Sequence, residues 1–466
     1  MSAIGRGHRR LPGVCLALVV ACKAPSPSIT LAPGASDVST RNTPQAVSGS
    51  ASPRPPLSAT TEASIDVALA RVSARRQLAA KGHVSTRRVD RHKLVDHARS
   101  KLDGDEPSCV VNGYETLLFG LGVVPPSFSF ERAMTTLLGQ TLAGVYDPDL
   151  DTLLVAIDLD PGEADRTIDH ELVHALQDQH FRLDGRLNLG FDRTDQQGAL
   201  QTLAEGDATC ATMDPPCSEP PRIEALSCDS PAAGTPASER LPCLLVRSLV
   251  APYVDGVRAV RLLLKRGGWE AVNAVWAAPP ATTHQLLHLD SPDRSTPKSP
   301  PNVPAAPAQV FGDPVYRDVL GEQTLRIVLE EWAPGEEAAD IASGWEGDRV
   351  AVFRTDDRSA VAWHLRFDST SRTSRAAAVL RHGLLRSPTP PARTGLMDAG
   401  RTPDMSGSSP TVRCRRHADR GPVAVVTHGR DIAVTVGPFR RNRLNASADG
   451  TCAATVAWAE CVARQK

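Results

Sequence analysis

The chain has almost no net charge, with 52 Lys plus Arg set against 53 Asp plus Glu in 466 residues. No global field therefore argues for nucleic acid or an acidic polymer as partner. Beyond the N-terminal leader, no apolar stretch reaches the roughly 20 residues needed to span a bilayer, so no transmembrane helix is expected. A glycine-rich phosphate loop is missing, and no local signature of a serine or cysteine nucleophile is present. Closely paired Cys-x-x-Cys spacing is missing too, which counts against a cysteine-based zinc site. The 38 prolines and 34 glycines are too few for a collagenous or wholly disordered chain; the prolines cluster, which marks linkers between folded parts. What remains is a globular chain long enough for two or three compact units.

At the N-terminus, Arg6, His8, Arg9 and Arg10 precede an apolar run from Leu11 to Ala21 that stops at Cys22. A run of about a dozen apolar residues suits the h-region of an export signal. Val19-Val-Ala-Cys22 resembles a bacterial lipobox, which makes residues 1–21 a lipoprotein signal peptide and Cys22 the lipidated N-terminus. The expected location is the bacterial envelope, with the outer membrane favoured and the lipid as the only membrane contact. An ordinary cleaved signal with an incidental cysteine is the alternative. Eight cysteines then remain in an oxidising compartment, and four disulfides are the natural expectation.

Residues 22–60 are rich in Pro, Ser, Ala and Thr and read as a disordered tether. Residues 61–140 read as a helical N-terminal part, including one helical stretch from Val89 to Leu102. Leu142–Tyr146 and Thr152–Ile157, joined by Asp147, Pro148 and Asp149, predict a β-hairpin. Asp160 as N-cap, Pro161 at the first position and Glu163 at the third then predict a helix over residues 161 to about 181. A central core is expected over 141–290, with a Cys-rich excursion at 210–243. A Pro-rich connection (291–308), an α/β part (309–385), a linker (386–411) and a small disulfide-stapled β-rich module (412–466) complete the expected order. The fold class is α+β.

The capped helix carries His170, Glu171 and His174 as His-Glu-Leu-Val-His. Imidazoles four residues apart share one helix face and can bind one zinc ion, while the adjacent glutamate can reach a zinc-bound water. A chance occurrence in a chain of this composition has a probability on the order of one in a hundred. A third ligand is required, and Glu205 is the candidate, beside a stripe of Leu200, Leu203 and Ala204; the competing reading is a surface glutamate before a helix-ending Gly206. Asp207 lies roughly 200° further round an ideal helix, so it is expected to orient a histidine and not to join the ion.

Ala143-Gly-Val-Tyr-Asp-Pro148, His170-Glu-Leu-Val-His-Ala-Leu-Gln-Asp-Gln-His-Phe181 and Leu203-Ala-Glu-Gly-Asp-Ala208 together resemble an uncharacterised family of exported prokaryotic zinc metallopeptidases of gluzincin-like type. Pro252-Tyr-Val-Asp-Gly256, Gly267-Gly-Trp269, Pro280-Ala-Thr-Thr-His-Gln-Leu-Leu-His288, Leu320-Gly-Glu322 and Gly344-Trp-Glu-Gly-Asp-Arg349 extend the likeness over roughly residues 85–370. The chain departs from the family pattern at His284, where an acidic residue is usual, and at Leu289, where a proline is usual. The resemblance implies a zincin-like domain, Zn2+ held by His170, His174 and Glu205, and Glu171 as general base in peptide-bond hydrolysis. The expected partner is a peptide or protein substrate. For an additional oxyanion donor the candidates are His288 and then Tyr253; each also reads as a satisfied structural residue. The hairpin ending at Ile157 could supply an edge strand for an extended peptide. A zinc-containing binding lipoprotein without catalysis, or a hydrolase of a cell-wall amide, are the rival readings.

Overall fold

The computed structural model describes residues 62–103, 108–187, 192–218, 241–291, 299–304, 311–355, 357–386, 413–441 and 446–465. Cys22, the signal and the tether lie outside these residues, as do most of the Cys-rich excursion, the Pro-rich connection and the 386–411 linker. The architecture is α+β, as the sequence implies. Among the described residues no helix is long and apolar enough to cross a membrane.

The chain begins with α1 (Glu62–Arg76), β1 (Ser85–Val89), α2 (Arg91–Asp103), α3 (Ser108–Gly120) and α4 (Phe130–Thr141). The expected hairpin follows as β2 (Gly144–Asp147) and β3 (Thr152–Ala156), antiparallel in register from Gly144 opposite Val155 to Asp147 opposite Thr152. β1 was not expected within a helical N-terminal part. It pairs in parallel with all five residues of β3, giving a three-stranded sheet in the order β1-β3-β2. Val89, read from the sequence as opening a helix, instead ends this strand.

Next come α5 (Pro161–Phe181), α6 (Leu183–Leu187), α7 (Thr194–Thr212), α8 (Cys243–Ala277) and α9 (Thr283–Leu287). α8 is interrupted at Gly267 and Gly268, the latter at φ 62°, which splits it into the two helical stretches that the sequence pattern shows. α7 does not end at Gly206. It runs on past α8, and Gly206 faces Gly256 so closely that a Cβ at position 206 would lie 2.1 Å from the Gly256 carbonyl carbon. Glycine at this crossing serves helix contact, and the helix-ending reading of Gly206 is overturned.

The remainder comprises β4 (Tyr316–Asp318), α10 (Gly321–Leu329), α11 (Gly335–Ala342), β5 (Trp345–Arg354), β6 (Ser359–Phe367), α12 (Thr370–Leu384), β7 (Cys414–His417), β8 (Gly421–His428), β9 (Asp431–Arg441), β10 (Ala446–Ala448) and α13 (Cys452–Ala463). Its strands form one antiparallel sheet in the order β4-β5-β6-β9-β8-β7, with β10 on β9. The expected separation into a 309–385 part and a 412–466 module is corrected by this pairing, because β6 is hydrogen-bonded to both β5 and β9. Alternation along the strands sets the two faces. Ala351, Phe353, Ala360, Ala362, Ala424 and Ala433 face Trp458 and Val462 of α13, while Val350, Val352, Val361, Trp363, Val425 and Val434 join the main core. That main core is continuous from Ile65 to Phe439.

Cys210–Cys217 and Cys414–Cys452 form disulfides, and Cys243 is also bridged. Cys461 is free and exposed, so four bridges among the eight cysteines are not formed.

Candidate metal centre

α5 begins as its sequence dictates. The Asp160 side chain accepts from the Glu163 N–H at 2.8 Å, Pro161 occupies the first turn where no N–H is needed, and Arg182 closes the helix in the left-handed region at φ 58°. The helix packs against β2 and β3 on one side and α7 on another. His170, Glu171 and His174 therefore sit in its middle, where the backbone is most constrained.

α7 brings Glu205 to the two histidines. His170 Nε2 lies 3.1 Å from Glu205 Oε2, His174 Nε2 lies 3.7 Å from the same oxygen, and the two imidazole Nε2 atoms are 3.1 Å apart. One ligand atom from each residue falls within 4.8 Å of the others. Glu205, Glu171 and His174 are fully buried, and the His170 side chain is 12% exposed. The reading of Glu205 as a surface residue is thus overturned.

The orphaned atoms test whether an ion fits here. Glu205 Oε1 and Glu171 Oε1 are buried with no hydrogen-bond partner among the described residues. Such atoms are costly unless something charged compensates them. Two imidazole nitrogens and a carboxylate are also the donor set that zinc takes in open sites. The residues therefore fit a divalent transition-metal ion.

Electrostatics agree. Burial alone would push the Glu205 carboxyl up, but His170 and His174 overcome it and hold it at about 2. Burial pulls the His174 imidazole down, and contact with Glu205 overrides that, raising it to about 9. Glu171 is raised, first by burial and further by Glu205, against the opposing influence of both histidines. Its Oε2 accepts from the Tyr146 backbone N–H at 2.7 Å, which ties the carboxylate to β2.

Asp207 does not orient a histidine. Being two residues past Glu205 on an unbroken helix, it points away from the centre and accepts from Arg76 Nη2 at 3.0 Å and Trp276 Nε1 at 2.8 Å. Arg76 is itself fully buried, lies over the Trp269 ring and donates to Asn273, so Asp207 joins α1, α7 and α8. The orienting group is Gln177, missed in the sequence. Its Oε1 lies 2.8 Å from His174 Nδ1, and its Nε2 donates to the Ala204 carbonyl at 3.0 Å. Its position three residues after His174, on the same helix face, is the signal that could have found it.

Of the two donor candidates, Tyr253 stacks on His170 with ring centroids 6.1 Å apart. His288 is instead engaged by Glu322, its Nε2 lying 3.0 Å from both carboxylate oxygens. Tyr146 packs in the hairpin, with its hydroxyl on Asp151 at 3.1 Å. The hairpin does leave an edge at β2, but not at β3, whose other side is taken by β1. Part of the β2 edge is also used by the Tyr146–Glu171 contact.

Residues 309–445 match a family described as a domain of unknown function (DUF8575). No curated protein matches the chain, and no solved structure does. The matched segment contains most of the large sheet and Glu322, and it leaves out His170, Glu171, His174 and Glu205.

Proposed function

We propose that the protein is a zinc-dependent peptidase in which His170, His174 and Glu205 hold the ion and Glu171 is the general base. The observation that carries the reading is the convergence of these ligands on a buried point beside a carboxylate that keeps one oxygen unpartnered. Zinc bound there would acidify a water molecule and polarise the scissile carbonyl. Gln177 holds the His174 ring by its Nδ1, so that Nε2 is presented to the ion. Glu171, fixed through Oε2 by the Tyr146 N–H, offers Oε1 to accept a proton from water and to return it to the leaving amine. Its raised proton affinity suits that exchange. Of the two oxyanion-donor candidates, Tyr253 is the one beside the centre, its ring stacked on His170, whereas His288 is held by Glu322.

The edge strand β2 beside the motif helix α5, with the third ligand on α7, supports a zincin-like domain of the gluzincin-like family that the sequence resembles. Export and lipid attachment through Cys22 belong to the same proposal and rest on the N-terminal sequence.

One observation favours a second reading, in which the chain binds its partners and the zinc is structural. Only His170 among the four central residues has an exposed side chain, so a peptide must open the site to reach it. Glu171→Gln separates the two. For a peptidase, the variant keeps zinc and cleaves a peptide library at least about 100-fold more slowly. Retained zinc with no cleavage by the parent protein would favour the binding reading.

A further inference from the structure

We propose that His284, His288 and Glu322 form a second site for a divalent transition-metal ion of the zinc class, independent of the centre on α5. Like His170 and His174, the two histidines are four residues apart, here across the single-turn helix α9, and their ring centroids are 4.5 Å apart. Glu322, at the start of α10, meets both: His284 Nδ1 is 2.5 Å from Oε2, and His288 Nε2 is 3.0 Å from each oxygen. All three ligand atoms lie within 4.8 Å of one another. Two nitrogens and a carboxylate again match the ligand preferences of zinc.

The backbone on both sides of this cluster is held in place before any ion arrives. Thr283 donates to Asp195 Oδ1 through its N–H at 2.9 Å and its hydroxyl, and the Gln323 N–H donates to Thr283 Oγ1 at 3.2 Å. The residues adjoining His284 and Glu322 are therefore locked to each other and to α7. Charge favours a cation as well. Glu322 and Asp348 both act on buried Asp195, whose Oδ2 has no partner among the described residues, and Asp290 acts on His288. Arg372, which acts on His288, and Arg326, which acts on Glu322, are the opposing positive groups. The cluster is also reachable: the His284 and His288 side chains are 22% and 31% exposed, which leaves room for water to complete the coordination. The competing account is a simple ion pair, with an imidazolium resting on Glu322.

The test is metal content of the full chain, folded in excess zinc and freed of loosely bound ion, measured by elemental analysis. Two zinc ions are expected in the parent, one in His288→Ala, one in Glu322→Gln and one in Glu205→Ala. Circular dichroism checks that each variant folds. The Glu205→Ala protein probes the second site with its ligands intact, so the proposal is tested even where a substitution at positions 288 or 322 prevents folding. A metal-free Glu205→Ala protein would overturn the inference, as would zinc content unchanged by both His288→Ala and Glu322→Gln. One zinc in the parent that is lost in His288→Ala yet kept in Glu205→Ala would sustain this site and sink the peptidase centre.

Discussion

At the scale of single residues, His174 carries a measurable consequence of its burial beside Glu205. Its folded-state pKa is raised to about 9, so in metal-free protein at pH 7 the ring holds a proton, whereas a zinc ligand must be neutral. Glu205, held at about 2, is already ionised and contributes no proton. Zinc binding at pH 7 is therefore expected to release protons, and its apparent affinity to climb as pH rises towards about 9. Calorimetric titration in buffers of differing ionisation enthalpy measures this, and a buffer-independent heat would contradict it. Gln177 and Asp207 should differ in effect. Gln177→Ala is expected to weaken zinc by about 10–100-fold, because it releases an orienting contact, and to cost about 1–3 kcal/mol of stability, because His174 Nδ1 is left buried without its partner. Asp207→Asn leaves Arg76 buried without a counter-charge and should cost about 3–5 kcal/mol of stability, read by denaturant unfolding of the metal-free protein. His170, Glu171 and His174 were legible because a spacing of four on a helix is local geometry. The role of Asp207 is not legible in the same way, because its partners Arg76 and Trp276 are distant in sequence.

Among the elements, α5 was legible to the residue, since its N-cap, first-turn proline and capping acid all act within a few positions of one another. β1 was not legible. Its Ser85-Thr-Arg-Arg-Val89 has little apolar alternation, and it becomes a strand through parallel pairing with β3 at the margin of its sheet. The crossing of α7 and α8 is the element-level feature on which Glu205 depends. Alanine at position 206 would place its Cβ inside van der Waals contact of Gly256, and a flexible side chain is not there to yield. Gly206→Ala is expected to lower stability by about 1–3 kcal/mol through overpacking and to weaken zinc binding, because the helices must part next to a ligand. Chemical denaturation and a competitive zinc titration check both parts; unchanged values would show that the crossing can relax.

For the whole molecule, the continuous core and the shared large sheet imply one cooperative unit over the described residues, with no detachable C-terminal part. A chain ending at residue 385 would strip β9 from β6 and α13 from the opposite face of the sheet. It is expected to aggregate or to lose its protection against amide exchange, including at the zinc centre. A monomeric, protected fragment would show that the tail is an independent module after all. The sequence by itself determined the α+β class, the hairpin, the capped helix and the pairing of His170 with His174, because these depend on propensities and periodicities within a few residues. Only the tertiary structure decided that Glu205 faces them, that Asp207 faces Arg76, that Glu322 gathers His284 and His288, and that the last strands complete a sheet begun a hundred residues earlier. Those contacts are set by helix crossings and strand order, in which the partners are far apart along the chain and leave no local periodicity to read.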